Sequence, residues 1–205
     1  MMNIIRIKNL EDLALQPYRT MRRPVEHEKS GIFVAEGEKV VRRLVASNLV
    51  IVSALMTEEW LEQYQPLLKD RQAIPVYVAA KNLLESIVGF GLHQGIMAVG
   101  KIPKPPAVED IVKTAPRPYF FAAVDGLTNS ENLGVLVRNC AAFGIQALLV
   151  GETSSSPYLR RAVRNSMGAV FSLPIVPCTN LSVQLSELRS AHDMRVIAAH
   201  PSGDG

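Results

Sequence analysis

The 205 residues are 48% apolar and 20% charged, an ordinary folded composition with enough chain for one large core or two modest ones. A formal charge of +3 permits a polyanionic partner without demanding one. Two cysteines in apolar surroundings read as buried, reduced thiols, the four histidines have no metal-ligand spacing, and no apolar run approaches the ~18 residues of a membrane helix.

In chain order, Asn9 to Arg22 has helical spacing and Gly31 to Ala35 is a short apolar strand. Glu38 to Ser47 is a helix with Val41, Leu44 and Val45 on one face, and Val50 to Met56 is a buried strand. Thr57 can cap a helix reaching Leu68. A strand from Ile74 to Val78, a helix from Asn82 to Val88 and a strand from Gly95 to Val99 follow. This alternation predicts a compact α/β domain over residues 1–102. Basic pairs, Arg22 with Arg23 and Arg42 with Arg43, make this region the denser in positive charge. Five of the thirteen prolines lie between Lys101 and Pro118, so residues 103–118 read as a stiff linker.

A second domain over 119–205 has a more regular rhythm. Tyr119 to Val124 is an uncharged strand, as expected when both sheet faces are covered. The helix from Glu131 to Phe143 sets Leu133, Leu136, Val137 and Cys140 in a core stripe and ends at Gly144. Ile145 to Val150 is the next strand. Ser154, Ser155 and Ser156 offer caps before Pro157 and a helix containing Tyr158 to Arg164. A strand at Leu173 to Val176, a helix capped by Asn180 and a strand from Met194 to Ala199 complete a parallel βαβ series. The tail HPSGDG reads as a loop leading away from that strand.

The chemistry concentrates at the turn from the first strand of this series into its helix, where Asn132, Gly134 and Arg138 are spaced N-x-G-x-x-x-R. Such turns sit at the carboxyl end of a strand and at a helix N-terminus, where ligands and anions are held. Gly134 and Arg138 share a helix face, which would leave a bare surface beside a guanidinium. By spacing alone Asn132 can equally be a cap, Gly134 a packing residue and Arg138 a surface charge. Arg160, Arg161 and Arg164 form a basic helix edge able to meet phosphates, or simply a solvated face. Ser166 and Gly168 could be no more than a close-packed helix end.

The wider pattern separates these alternatives. Asp125-Gly-Leu-Thr-Asn-Ser-Glu-Asn132-Leu-Gly134-x3-Arg138-Asn-x3-Phe143-Gly144 resembles the first motif of the SpoU-type RNA ribose 2′-O-methyltransferases of the knotted SPOUT class, with Ser130 where that family often has proline. Arg161-Ala-Val-Arg-Asn-Ser166-Met-Gly168-Ala169 with Leu173-Pro174 is similar to the family's next segment. Phe33-Val-Ala-Glu36-Gly37 and His93-Gln94-Gly95-Ile96 resemble the signatures of its accessory RNA-binding domain. The resemblance implies a ribosomal-protein-like α/β domain followed by an α/β-knot catalytic domain with a Rossmann-like parallel sheet. Two later family motifs, which build most of the cofactor pocket, are not found up to Gly205, so the catalytic domain is expected to be incomplete at its C-terminus.

What the resemblance implies for function is methyl transfer from S-adenosylmethionine to a ribose 2′-hydroxyl of ribosomal or transfer RNA. Ribosomal RNA is favoured by the appended N-terminal domain. Asn132 and Arg138 are the expected catalytic residues, and Glu131, Gly134, Arg160, Arg161, Arg164 and Ser166 the expected substrate contacts. A cytoplasmic homodimer without metal or membrane attachment is expected. The alternative is a non-catalytic RNA-binding protein of the same two domains.

Overall fold

The computed structural model describes residues 3–8, 12–71, 74–89, 91 and 94–199. Residues 9–11 of the first expected helix, His93 of the H-Q-G-I segment and the tail 200–205 lie outside the described residues.

The first lobe opens with strand β1 (Asn3–Arg6), a 3-10 turn at Leu13–Leu15, and helices α1 (Gln16–Arg19) and α2 (Pro24–Lys29). It continues through β2 (Ile32–Glu36), α3 (Glu38–Ala46), β3 (Ile51–Met56), α4 (Glu58–Tyr64), β4 (Pro75–Val78), α5 (Lys81–Val88) and β5 (Ile96–Lys101). The second lobe consists of α6 (Val108–Thr114), β6 (Phe121–Val124), α7 (Ser130–Ala142), β7 (Ala147–Gly151), α8 (Arg160–Asn165), β8 (Ile175–Cys178) and α9 (Leu181–His192).

The strands of the first lobe form one sheet in the order β1-β4-β3-β5-β2, with β1, β4 and β3 parallel and β5 antiparallel to both its neighbours. The second sheet, β6-β7-β8, is wholly parallel. Its central strand, Ala-Leu-Leu-Val-Gly, is buried at every position, because helices cover both faces. Leu133, Val137 and Cys140 of α7 are buried at i, i+4 and i+7, the stripe expected of a helix packed on such a sheet. Asn180 caps α9 by accepting from the Val183 amide, and Gly144, with φ +72°, follows the end of α7.

Each sheet has one helix layer of its own. Tyr18, Leu84 and Ile87 pack on the outer face of the first, and Val108, Ile111, Val112 and Leu188 on the outer face of the second. The inner layers merge. Phe33, Val41 and Leu44 of the first lobe join Leu133, Val137 and Val163 of the second in one apolar cluster. Phe33 is the hinge pin of this junction: its ring centroid lies 5.7 Å from that of Tyr158 and 5.4 Å from that of Phe171. A Cβ on Gly100 would come within 2.4 Å of the Phe33 ring, so glycine there makes room for it. Burying such a ring is worth about 2–3 kcal/mol.

Several expected elements take another form. The described part of the first expected helix is broken into the 3-10 turn and α1, because Pro17 has no amide hydrogen and belongs in a first turn rather than a helix interior. Pro24 then starts α2, which the sequence pattern did not indicate; nor did it indicate β1. The stretch read as a stiff linker contains α6, with Val108, Ile111 and Val112 buried on the second sheet. Its prolines stand at 103, 105, 106, 116 and 118, which leaves 107–114 free to wind. The strand expected at Met194 to Ala199 does not form. That segment joins no ladder and leaves Ile197 79% exposed, and a strand without a paired neighbour has no partner for its amides.

Candidate nucleic-acid interface

The turn from β6 into α7 is braced from the neighbouring strand. Asp125 Oδ1 accepts from Thr153 Oγ1 at 2.6 Å and from the Gly126 amide at 2.9 Å. These bonds, the Thr153 hydroxyl foremost, hold the Asp125 carboxyl below its ordinary value of 3.8. Gly126 has φ +68°, and a Cβ on Gly151 would lie 2.5 Å from Asp125 Oδ1, so both positions require glycine. The Asp-Gly dipeptide signalled a turn, but nothing in the chain pattern paired it with Thr153 twenty-eight residues on. The space beside the buried Gly151 is thus filled by the Asp125 carboxylate, which stands exposed at the carboxyl ends of the parallel strands, where open α/β sheets place ligands.

Asn129, not Asn132, caps α7: its Oδ1 accepts from the amides of Glu131 at 2.9 Å and Asn132 at 3.1 Å. The side chain of Asn132 is therefore exposed and released from capping. Arg138 is also exposed, with no ion pair or hydrogen bond to the described residues. Gly134 corrects the expectation of a bare surface. It is buried beneath α8, where an added Cβ would meet the Ala162 carbonyl oxygen at 2.4 Å and Asn165 Cβ at 2.9 Å. Its role is close helix packing, and it offers no face to a substrate. The N-x-G-x-x-x-R spacing thus places a polar group and a guanidinium outside, with the glycine seating the helix that carries them.

The three arginines of α8 separate. Arg160 donates to Glu36 Oε2, and Arg164 donates to Glu36 Oε1 at 3.0 Å, so both converge on the last residue of β2 in the other lobe. The Glu36 side chain is 7% exposed, that of Arg160 18% and that of Arg164 53%. Arg160 therefore corrects the picture of three solvated charges: it ties the lobes together. Arg161 faces outward and pairs with Glu131 of α7 at 3.2 Å, an exposed and screened contact. Ser166 is wholly buried, its hydroxyl donating to Val163 O at 2.8 Å and accepting from the Gly168 amide at 3.2 Å. It completes a helix end and does not reach a ligand. Met167 and Gly168 both take positive φ, and Arg43 of α3 donates to Met167 O at 2.7 Å, a second tie between lobes.

Of the serines expected to cap α8, Ser156 accepts from the Tyr158 amide at 3.3 Å in the turn before it, Leu159 occupies the N-cap itself, and Ser155 Oγ donates to Thr128 O while Ser154 Oγ accepts from Leu127 N, pinning the β6–α7 turn. Cys140 and Cys178 are buried free thiols, and burial pushes both up in pKa, away from nucleophilic use. Among the described residues there is no cluster suited to a metal ion, and no helix is long and apolar enough to cross a membrane.

Two α/β lobes are thus joined along a seam where arginines of α8 meet Glu36 of β2. Residues 34–106 match the RNA 2′-O ribose methyltransferase substrate-binding family, and residues 119–205 match the SpoU rRNA Methylase family. A protein of Mycobacterium tuberculosis, described as an uncharacterized tRNA/rRNA methyltransferase, is 30% identical over 202 residues, covering 95% of this chain and 67% of the relative. The 23S rRNA (guanosine-2′-O-)-methyltransferase RlmB of Yersinia pestis is 29% identical, covering 68% of this chain and 58% of the relative. An AdoMet-bound rRNA methyltransferase from Sinorhizobium meliloti shares the fold with a TM-score of 0.75 at 19% identity, over 92% of this chain and 70% of that one. The chain belongs to the SpoU family of RNA methyltransferases.

Proposed function

We propose that this protein transfers a methyl group from S-adenosylmethionine to a ribose 2′-hydroxyl, with ribosomal RNA favoured over transfer RNA and a homodimer as the working form. Residues 1–102 would serve as the substrate-binding domain and 119–205 as the catalytic part. The observation that carries this reading is the state of Arg138: an exposed guanidinium with no ion pair to the described residues, on the helix that the braced β6–α7 turn fixes.

S-adenosylmethionine supplies an electrophilic methyl on a sulfonium, and the exposed Asp125 and Gly126 are the described residues suited to one side of its ribose. Positioning supplies much of the acceleration in such an in-line displacement. Negative charge grows on the attacking ribose oxygen, and a fixed cation beside it stabilises that change. Arg138 fills this role; a guanidinium offers only donors and no basic lone pair, so it holds the ribose and adjacent phosphate rather than taking the proton, which leaves to phosphate or water. Asn132, freed from capping by Asn129, can donate to or accept from the same sugar. Arg161 and Arg164 lie along the neighbouring edge and suit phosphates, with recognition by backbone shape.

The test is methyl transfer from labelled S-adenosylmethionine to bulk ribosomal and transfer RNA, followed by alkaline hydrolysis. A methylated 2′-oxygen blocks cleavage of the adjacent phosphodiester, so label is expected in alkali-resistant dinucleotides. Label recovered on bases would overturn the ribose assignment. RNA binding without saturable calorimetric binding of S-adenosylmethionine would identify a non-catalytic RNA-binding protein instead.

A further inference from the structure

One wall of the cleft beside α8 comes from a segment that precedes both matched stretches of the chain. The cleft, about 910 Å³, lies between Met21, Arg22 and Pro24 on one side and Glu131, Arg160 and Arg161 on the other. With Arg164, four guanidiniums line it against one carboxylate, Glu131, while Glu36 stands behind Arg160 and Arg164. Among the described residues lining it, guanidiniums outnumber carboxylates, and a concave surface concentrates the field of such a lining. No aromatic side chain among the described residues lines the cleft, so it is suited to a charged backbone and not to stacked bases.

We propose that the turn between α1 and α2, with Arg22 as its charged residue, is the second jaw of a clamp on the RNA phosphate backbone whose first jaw is the α8 arginine edge. This rests on the RNA-substrate reading above. The turn is held rigidly enough to act as a jaw. Thr20 Oγ1 lies 2.9 Å from Gln16 O, to which it donates, and 3.1 Å from Nε2 of the buried His27. The Arg23 amide donates to Thr20 O at 2.7 Å, Pro24 begins α2, and Met21 is 3% exposed, anchoring the turn beside Arg22. Across the cleft the Glu131–Arg161 pair is exposed on both sides, so a phosphate can replace Glu131 at little cost. Glu131 and Arg138 are seven residues apart on one face of α7, about 10 Å of helix rise. A strand held in the cleft is thereby directed toward Arg138.

The experiment is fluorescence anisotropy of the 205-residue protein with a labelled ribosomal RNA stem-loop, over about 50–300 mM salt. Arg22→Ala is expected to weaken binding about 3–10-fold near 100 mM salt and to take about one unit from the slope of log affinity against log salt. Arg22→Ala with Arg161→Ala takes about two units, and Arg22→Lys restores most of the single loss. Arg22 is exposed and so is Arg161, and Arg189→Ala on α9 serves as a charge control that leaves affinity and slope unchanged. Unchanged affinity and slope for Arg22→Ala, alongside a loss for Arg161→Ala, would overturn the clamp while leaving RNA as the substrate. Absence of salt-dependent RNA binding by the unaltered protein would overturn both.

Discussion

Helix α7 carries one arginine and α8 three, and Arg138 of the first has the opposite fate to Arg160 and Arg164 of the second. Arg138 of α7 projects into solvent with no ion pair to the described residues. Arg160 and Arg164 of α8 are drawn across the lobe junction to Glu36. The helices themselves are pressed together through Gly134, so a single contact decides both outcomes: it seats α7 against α8 and turns the α8 edge toward the other lobe. Spacing along a helix says which residues share a face. What that face meets is a matter of the partner surface, and here a buried carboxylate from β2 turns a basic edge into a joint.

The comparison is tested most sharply at Arg138. Arg138→Ala is expected to lower kcat/KM for methyl transfer about 10²–10³-fold, while stability stays within about 0.5 kcal/mol, since an exposed residue with no ion pair or hydrogen bond to the described residues has little to lose. Retained single-turnover methyl transfer would remove the residue from the site. Glu36→Ala should do the reverse, destabilising the protein by about 2–3 kcal/mol in urea titration because two arginines lose their shared partner in a partly buried setting. An unchanged unfolding midpoint would show that the joint does not hold the lobes. Gly134→Ala should cost about 1–3 kcal/mol through overpacking against the Ala162 carbonyl, offset in part by better helix propensity. A stabilised Gly134→Ala variant would show that the α7–α8 contact is loose.

The smallest effect concerns the turn opposite α8. Burial pushes His27 below its ordinary 6.5, against the weaker pull of the Pro17 backbone and of Glu26. A base whose folded value is depressed binds its proton more readily when unfolded. Its contribution is therefore complete above pH 6.5 and is lost as the pH falls below that value. The urea midpoint of the unaltered protein should drop on going from about pH 7.5 to 5.5, and His27→Gln should flatten that dependence. An equal drop in both proteins would place the acid sensitivity elsewhere.

Much of the fold was legible because its signals are local. The uncharged strand at Ala147–Gly151, the α7 stripe, the Asn180 cap and Gly144 each depend on neighbours within a few residues. The failures were of two kinds. At α6 the prolines marked breaks, but composition averaged over the stretch concealed the short helix between them, and at α1 and α2 the helical reading ran through Pro17 and missed the start at Pro24. At the site, Asn129 won the cap from Asn132, and Asp125 found Thr153 across a strand. The first is a competition between two residues of one type three apart. The second is a contact made only once β6 and β7 pair in register.

By itself the chain determined its α/β alternation and its family, since apolar periodicity, turn residues and motif spacing are properties of short stretches. Only the tertiary structure decided which motif members face outward. Gly134 and Ser166 went to packing, Arg160 to the lobe junction, and Arg138 and Asn132 to the surface. The physical reason is that exposure and pairing are set by whatever packs opposite a residue, and at this site the opposing groups lie up to 128 positions away along the chain.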